Sequence, residues 1–166
     1  MDELRQRKRL RLETWDYSKN GAYFITICTK QREELLWDTS ASVGAALSRP
    51  RLSELGLIVD EELKRIPVIY ENVILDKYVI MPNHVHLVLM IWHNPPLIDG
   101  RLRAAPTTIS TVIQQTKMKI SKRAGFSFWQ KSFYDHIIRN EPDYRRICTY
   151  IGINPQKWED DCYYRG

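Results

Sequence analysis

Two histidines, His84 and His86, flank a single valine inside the apolar run DKYVIMPNHVHLVLMIW. On an extended strand side chains alternate between faces, so both imidazoles point the same way. Imidazole is the commonest protein metal ligand, and a pair aligned by the backbone needs no loop to hold it. The pattern also fits one core histidine beside one satisfied edge histidine, and the pair alone does not separate these readings. Farther along, Tyr150 and Asn154 stand four apart in YRRICTYIGINP, one turn apart on one face of a helix. Docked beside the histidines, that helix would add a phenol and an amide oxygen. Two imidazoles and an amide oxygen leave positions open on a divalent ion for substrate oxygens. A phenol next to such a site is a candidate nucleophile. It needs help, because with a pKa of ~10 it is roughly 0.1% ionised at pH 7, and ionisation costs about 4 kcal/mol. An ion on the scissile phosphate, or a water-relayed base, would offset that. Taken singly, Tyr150 also reads as an amphipathic-helix residue, and Asn154, before Pro155, as a helix terminator.

The elements that must position these groups follow from pattern. Ala22 to Cys28, rich in β-branched and aromatic residues, predicts a first strand. Residues Thr39 to Arg51 are small and polar with Pro50 and read as a loop or insertion. Ser53 is a candidate N-cap for a helix carrying Leu55, Ile58, Val59, Leu63 and Ile66, which stops at Pro67. Val73 to Met81 and His84 to Trp92 predict two strands joined by a tight turn at Pro82-Asn83. A Pro/Gly-punctuated loop, 93 to 106, precedes a basic amphipathic helix from Thr107 to Arg123. Phe133 to Arg139 is a fourth strand, and Asn140-Glu141-Pro142 opens a last helix that should end at Asn154 before proline. The order β-α-β-β-α-β-α predicts an α+β, ferredoxin-like antiparallel sheet with helices on one face and a C-terminal helix carrying the tyrosine.

The 166 residues fit one domain, 1–166, with a basic arm over about 1–20. No apolar run approaches the ~20 residues of a membrane span, and the N-terminus has no secretory h-region. A cytoplasmic protein without a membrane partner is expected. Three dispersed cysteines without CxxC argue against a disulfide framework or a cysteine zinc site. Net charge is +5 and clustered: Arg5, Arg7, Lys8, Arg9 and Arg11 on the arm, Lys117, Lys119, Lys122 and Arg123 on one helix. Such clusters suit phosphates, with a solvated surface as the plain alternative. Arg7, Lys8, Arg9, Lys117, Lys119 and Lys122 are the candidate DNA contacts. Trp15, Tyr17, Phe128 and Trp129 are candidates for base stacking, though packing is the commoner fate of such rings.

The segments RLRLETWDYSKNGAYFITICTKQRE, YVIMPNHVHLVL and FWQKSFYDHIIRNEPDYRRICTYIGINP, with the basic helix between them, cover most of the chain. They closely resemble the REP-associated tyrosine transposases, relatives of the single-tyrosine HUH insertion-sequence transposases. The resemblance implies that His84 and His86 bind Mg²⁺ or Mn²⁺, that Asn154 is the polar third ligand, and that Tyr150 is the nucleophile. It implies attack on single-stranded DNA at hairpin repeats, giving a covalent 5′-phosphotyrosine and a free 3′-hydroxyl, with no nucleotide cofactor. Histidine and amide donors favour Mn²⁺ over Mg²⁺. Asp135-His136 also fits the family pattern, with His136 as a DNA contact, a support for the site or a structural hydrogen bond; His93 reads as incidental. Relatives include dimers working in trans and monomers working in cis, and both states stay open here. Two other classes remain: a domesticated DNA or RNA hairpin-binding protein that does not cut, and a metal-dependent hydrolase, for which no HxE or HExxH supplies a base.

Overall fold

The computed structural model describes residues 20–38, 51–92 and 107–164. Four strands, β1 (Gly21–Cys28), β2 (Val73–Ile80), β3 (His84–Ile91) and β4 (Tyr134–Ile138), form one antiparallel sheet in the order β2-β3-β1-β4. Together with helices α1 (Glu54–Lys64), α3 (Ile109–Ala124) and α4 (Glu141–Ile153), this is the expected ferredoxin-like α+β arrangement. The turn at Pro82-Asn83 is as tight as expected, with the Met81 amide donating to the His84 carbonyl at 2.8 Å.

Alternation along the strands divides the interior. Val85, Leu87, Leu89 and Ile91 of β3, with Tyr23, Ile25 and Ile27 of β1, pack against Val59 and Leu63 of α1 and Ile109, Val112, Ile113 and Ile120 of α3. The opposite face carries His84, His86 and Val88; among the described residues α4 covers it through Ile147 and Ile151, with Phe24, Val79 and Ile138, and the segment after α4 covers the histidines. The tyrosine helix thus lies across the sheet from α1 and α3.

Local chemistry sets the ends. Ser53 caps α1 by accepting from the Gly56 amide at 3.0 Å, and Asn140 caps α4 by accepting from the Asp143 amide at 2.9 Å. Gly125, at φ 81, closes α3 in the left-handed conformation that glycine adopts without penalty. Pro67 corrects one expectation. Instead of stopping helical structure it sits in the first turn of a short helix, α2 (Ile66–Ile69), where its missing N–H removes no hydrogen bond. The last α-helix ends where expected, at Ile153 with Asn154 as its C-cap, but Asn154 keeps helical angles, φ −55 and ψ −45, and the chain runs on as a 3-10 segment over Asn154–Asp160. That continuation carries the C-terminal residues back across the histidines.

Candidate active site

Register brings the site together. On β1, Thr26 pairs with His86 and Cys28 with His84, so a hydroxyl lies beside one imidazole on the same face. The Thr26 Oγ1 atom is 2.8 Å from His86 Nδ1, and Asn83 Oδ1 is 2.8 Å from His84 Nδ1. With their outer nitrogens engaged, the two Nε2 atoms face each other at 2.9 Å. Both rings are essentially inaccessible to solvent. Burial, aided by the Arg32 charge, pushes His84 down to about 3. Burial, followed by the neighbouring His84, pushes His86 down to about 3 against the pull of Asp161. Both imidazoles are therefore neutral near pH 7, the form with a lone pair to give.

Helix α4 supplies the phenol. Two contacts pin it to opposite sheet edges: Tyr144 donates to Asp76 Oδ2 at 2.8 Å, and His136 Nε2 meets Asp143 Oδ2 at 2.7 Å. Asp76 lies at the irregularity in β2 between Leu75 and Lys77. The structural reading of His136 therefore holds. So fixed, Tyr150 Oη reaches 3.2 Å from His86 Nε2 of the same chain and donates to Asp161 Oδ2 at 3.1 Å. Burial first, then the charge and hydrogen bond of Asp161, push the phenol above its ordinary range, while the nearby Asn154 amide pulls the other way. Tyr150 is thus a neutral phenol that must lose its proton during any reaction rather than before it.

Asn154 is buried, and neither its Nδ2 nor its Oδ1 has a hydrogen-bond partner of acceptable geometry among the described residues. A buried orphan amide is costly and calls for an explanation. Asp161 completes a group with His84 and His86 whose ligand atoms all lie within 4.8 Å of one another. Adjacent ligands ~2.1 Å from a shared centre sit about 3 Å apart at right angles, close to the 2.9 Å between the Nε2 atoms. The donors brought together, two neutral imidazoles and a carboxylate, fit a divalent ion, and the orphan Asn154 amide lies near Tyr150.

Several of these groups escaped the sequence reading. Asp161 ends the acidic run Glu159-Asp160-Asp161, but it lies beyond a helix break, where spacing says nothing of direction. Tyr163 lies against His84 with 4.4 Å between ring centres and a tilt of 35°, and the Arg32 guanidinium carbon lies 4.8 Å from the centre of the Tyr163 ring. Trp158 lies 5.9 Å from His84. Asn83 and Thr26 carried signals only of a turn and a strand.

The candidate DNA contacts divide. Arg7, Lys8, Arg9, Trp15, Tyr17 and His93 lie outside the described residues. Lys117 is buried, its ammonium donating to the carbonyls of Gln130, Lys131 and Ser132 at 2.5, 3.2 and 3.3 Å, so its charge is engaged inside the fold. Lys119 is half-buried and Lys122 exposed, both on α3 behind the sheet. Phe128 and Trp129 pack in the core instead of facing bases. No described helix is long and apolar enough to cross a membrane.

No family model matches the chain. It is 33% identical over 180 aligned residues to an uncharacterised protein of Haemophilus influenzae, covering 97% of this chain and 94% of that one. Over 84 residues it is 32% identical to the REP-associated tyrosine transposase of Escherichia coli, covering 50% of this chain and 44% of that protein. The fold matches a solved REP-associated tyrosine transposase bound to a REP hairpin, with a TM-score of 0.60 and 21% identity over 89% of this chain and 74% of the other. Over half its length the chain is thus similar in sequence to a REP-associated tyrosine transposase, and it shares the fold of a solved one.

Proposed function

We propose that this protein is a metal-dependent HUH endonuclease and strand transferase that nicks and rejoins single-stranded, hairpin-forming DNA during DNA transposition. The observation that carries this reading is the Tyr150 phenol, 3.2 Å from His86 Nε2 and hydrogen-bonded to Asp161 beside the paired imidazoles. A known hairpin complex of the same fold supports the choice of substrate.

His84, His86 and Asn154 would hold Mg²⁺ or Mn²⁺, with Asp161 in reach as a further ligand. When bound, the ion polarises and orients the scissile phosphate. Tyr150 attacks phosphorus as its proton passes to the Asp161 carboxylate. The bond from phosphorus to the 3′-oxygen breaks, and that oxygen takes a proton through water, which is replaced by the proton that Asp161 received. The products are a 5′-phosphotyrosine and a 3′-hydroxyl. The phosphotyrosine conserves the energy of the broken bond, so a second 3′-hydroxyl can reverse the step without a nucleotide cofactor.

Because the phenol already reaches the histidines of its own chain, the site works in cis, in a monomer or within each half of a homodimer. The chain acts as one unit, 1–166, with Arg7, Lys8 and Arg9 of its basic arm on the DNA backbone. Lys119 and Lys122 would meet phosphates on a path around the sheet edge, given their place behind the sheet.

The test is incubation of labelled single-stranded hairpins, taken from repeats flanking the protein's own gene, with Mn²⁺, resolved on a denaturing gel beside Tyr150→Phe. A covalent protein–DNA band in the wild type, reduced on the order of 10³-fold or more by the substitution while hairpin binding persists, is expected. Salt-sensitive hairpin binding with no metal-dependent product would instead support the non-cleaving DNA or RNA hairpin-binding protein. Release of a free 5′-phosphate without protein attachment would support a hydrolase.

A further inference from the structure

We propose that Asn83 holds His84 in its Nδ1–H form, while Thr26 lets His86 move its ring hydrogen from Nε2 to Nδ1 when an ion enters. This rests on the metal-site reading above and adds two positioning residues to it.

Asn83 is the fixed point. Its Nδ2 lies 3.2 Å from the Arg32 carbonyl and 2.9 Å from the Tyr163 carbonyl. Carbonyls only accept, so both contacts require the amide nitrogen, and the orientation of the amide follows. Its Oδ1 then faces His84 Nδ1 at 2.8 Å. An amide oxygen cannot donate, so Nδ1 must carry the hydrogen and Nε2 the lone pair. The backbone supports this at a cost. Gln31 and Arg32 occupy the left-handed region at φ 52 and 57, consecutive non-glycine residues in a sparsely populated conformation. The turn they form is the one that delivers the Arg32 carbonyl to Asn83.

His86 has the opposite arrangement. Its Nε2 lies 2.9 Å from the His84 lone pair, and two lone pairs at that distance would repel. Without an ion, His86 Nε2–H must therefore be the donor. Tyr150 Oη, 3.2 Å away, is a second acceptor for it, since the phenol gives its own proton to Asp161. The remaining lone pair, on Nδ1, accepts from the Thr26 hydroxyl at 2.8 Å. With an ion on both Nε2 atoms the hydrogen has to be on Nδ1. A hydroxyl can donate or accept, so the same contact survives with its direction reversed. Neither state leaves a ring nitrogen unpaired, and neither changes the number of protons on the rings. An amide oxygen in place of Thr26 would permit only the loaded state.

The experiment uses the full chain with ¹⁵N-labelled histidine, and long-range ¹H–¹⁵N spectra that report which ring nitrogen is protonated. Spectra are taken without ion and with Zn²⁺ as a diamagnetic probe. The expected result is Nδ1–H at His84 in both, with His86 passing from Nε2–H to Nδ1–H on addition. An ion-free His84 found as Nε2–H, or an ion-free His86 already Nδ1–H, would overturn the proposal. If Zn²⁺ leaves both rings unchanged, the metal-site reading fails and the exchange falls with it. If Zn²⁺ moves both Nε2 signals but leaves the His86 hydrogen in place, the exchange alone fails. A second arm measures Mn²⁺ affinity by calorimetry for Thr26→Val and Thr26→Ser, each checked for folding by circular dichroism. The valine should weaken binding about 10–100-fold, the usual range for partners that orient a ligand, and serine should restore it. Equal affinity for the valine variant and the wild type would overturn the role of Thr26.

Discussion

The two faces of β3 are built from alternate residues of one strand, yet they solve different problems. Val85, Leu87, Leu89 and Ile91 meet two helices and bury apolar surface. His84, His86 and Val88 meet one helix and a 3-10 segment, with buried imidazoles, a partly exposed acid and a buried, unpaired amide instead. The first face supplies stability through area removed from water. The second holds polar groups in place where water would have solvated them better, which is how preorganised sites are made. The strand can do both because its period of two separates the tasks completely.

The comparison can be broken from either side. His84→Ala removes a donor and should cut ion-dependent cleavage by more than about 100-fold, beyond what supporting residues usually cost. Cleavage that survives, measured across an ion titration, would show that this face does not hold the ion. Leu87→Ala on the other face should lose about 2–5 kcal/mol in a denaturant melt, with ion affinity of the folded fraction unchanged. A parallel loss of affinity would mean the faces are coupled through the strand.

Acid sharpens the contrast. Both histidines have folded values of about 3 against an ordinary 6.5, so the unfolded chain binds more protons between these limits. Stability is complete above the ordinary value and falls as pH drops through the window. Urea midpoints across this range should show the slope, and it should shrink in His86→Leu. The smallest effect is expected at Asn154. Leucine there removes the orphan amide and should raise stability by roughly 1 kcal/mol while weakening ion binding. A lower midpoint would show that the amide is satisfied.

Where periodicity governs, the sequence was legible. The strand at His84 to Trp92, the caps at Ser53 and Asn140, and the pairing of Tyr150 with Asn154 all follow from short-range rules. Pro67 misled, and Pro155 ended the α-helix as expected without ending helical geometry, for a shared reason. Proline forbids a hydrogen bond only where one is needed, and at Pro67 and Pro155 it lies in the opening turn of a new helical segment, where none is.

Lys117 shows another limit. Its place among basic residues suggested a phosphate contact, but the fold turns its ammonium onto three carbonyls of the segment before β4. Burial of one residue on a helix depends on what lies across from it, and sequence spacing does not encode that neighbour.

By itself, the sequence determined the elements, their order and the shared direction of the two imidazoles, because backbone geometry repeats every two or 3.6 residues. Tertiary structure alone decided that Asp161 and Tyr163 return to the histidines, that Thr26 stands opposite His86, and that the Asn83 amide faces His84. Those contacts join segments up to 80 residues apart. Strand register and chain reversal, which depend on the packing of the whole sheet, bring them together.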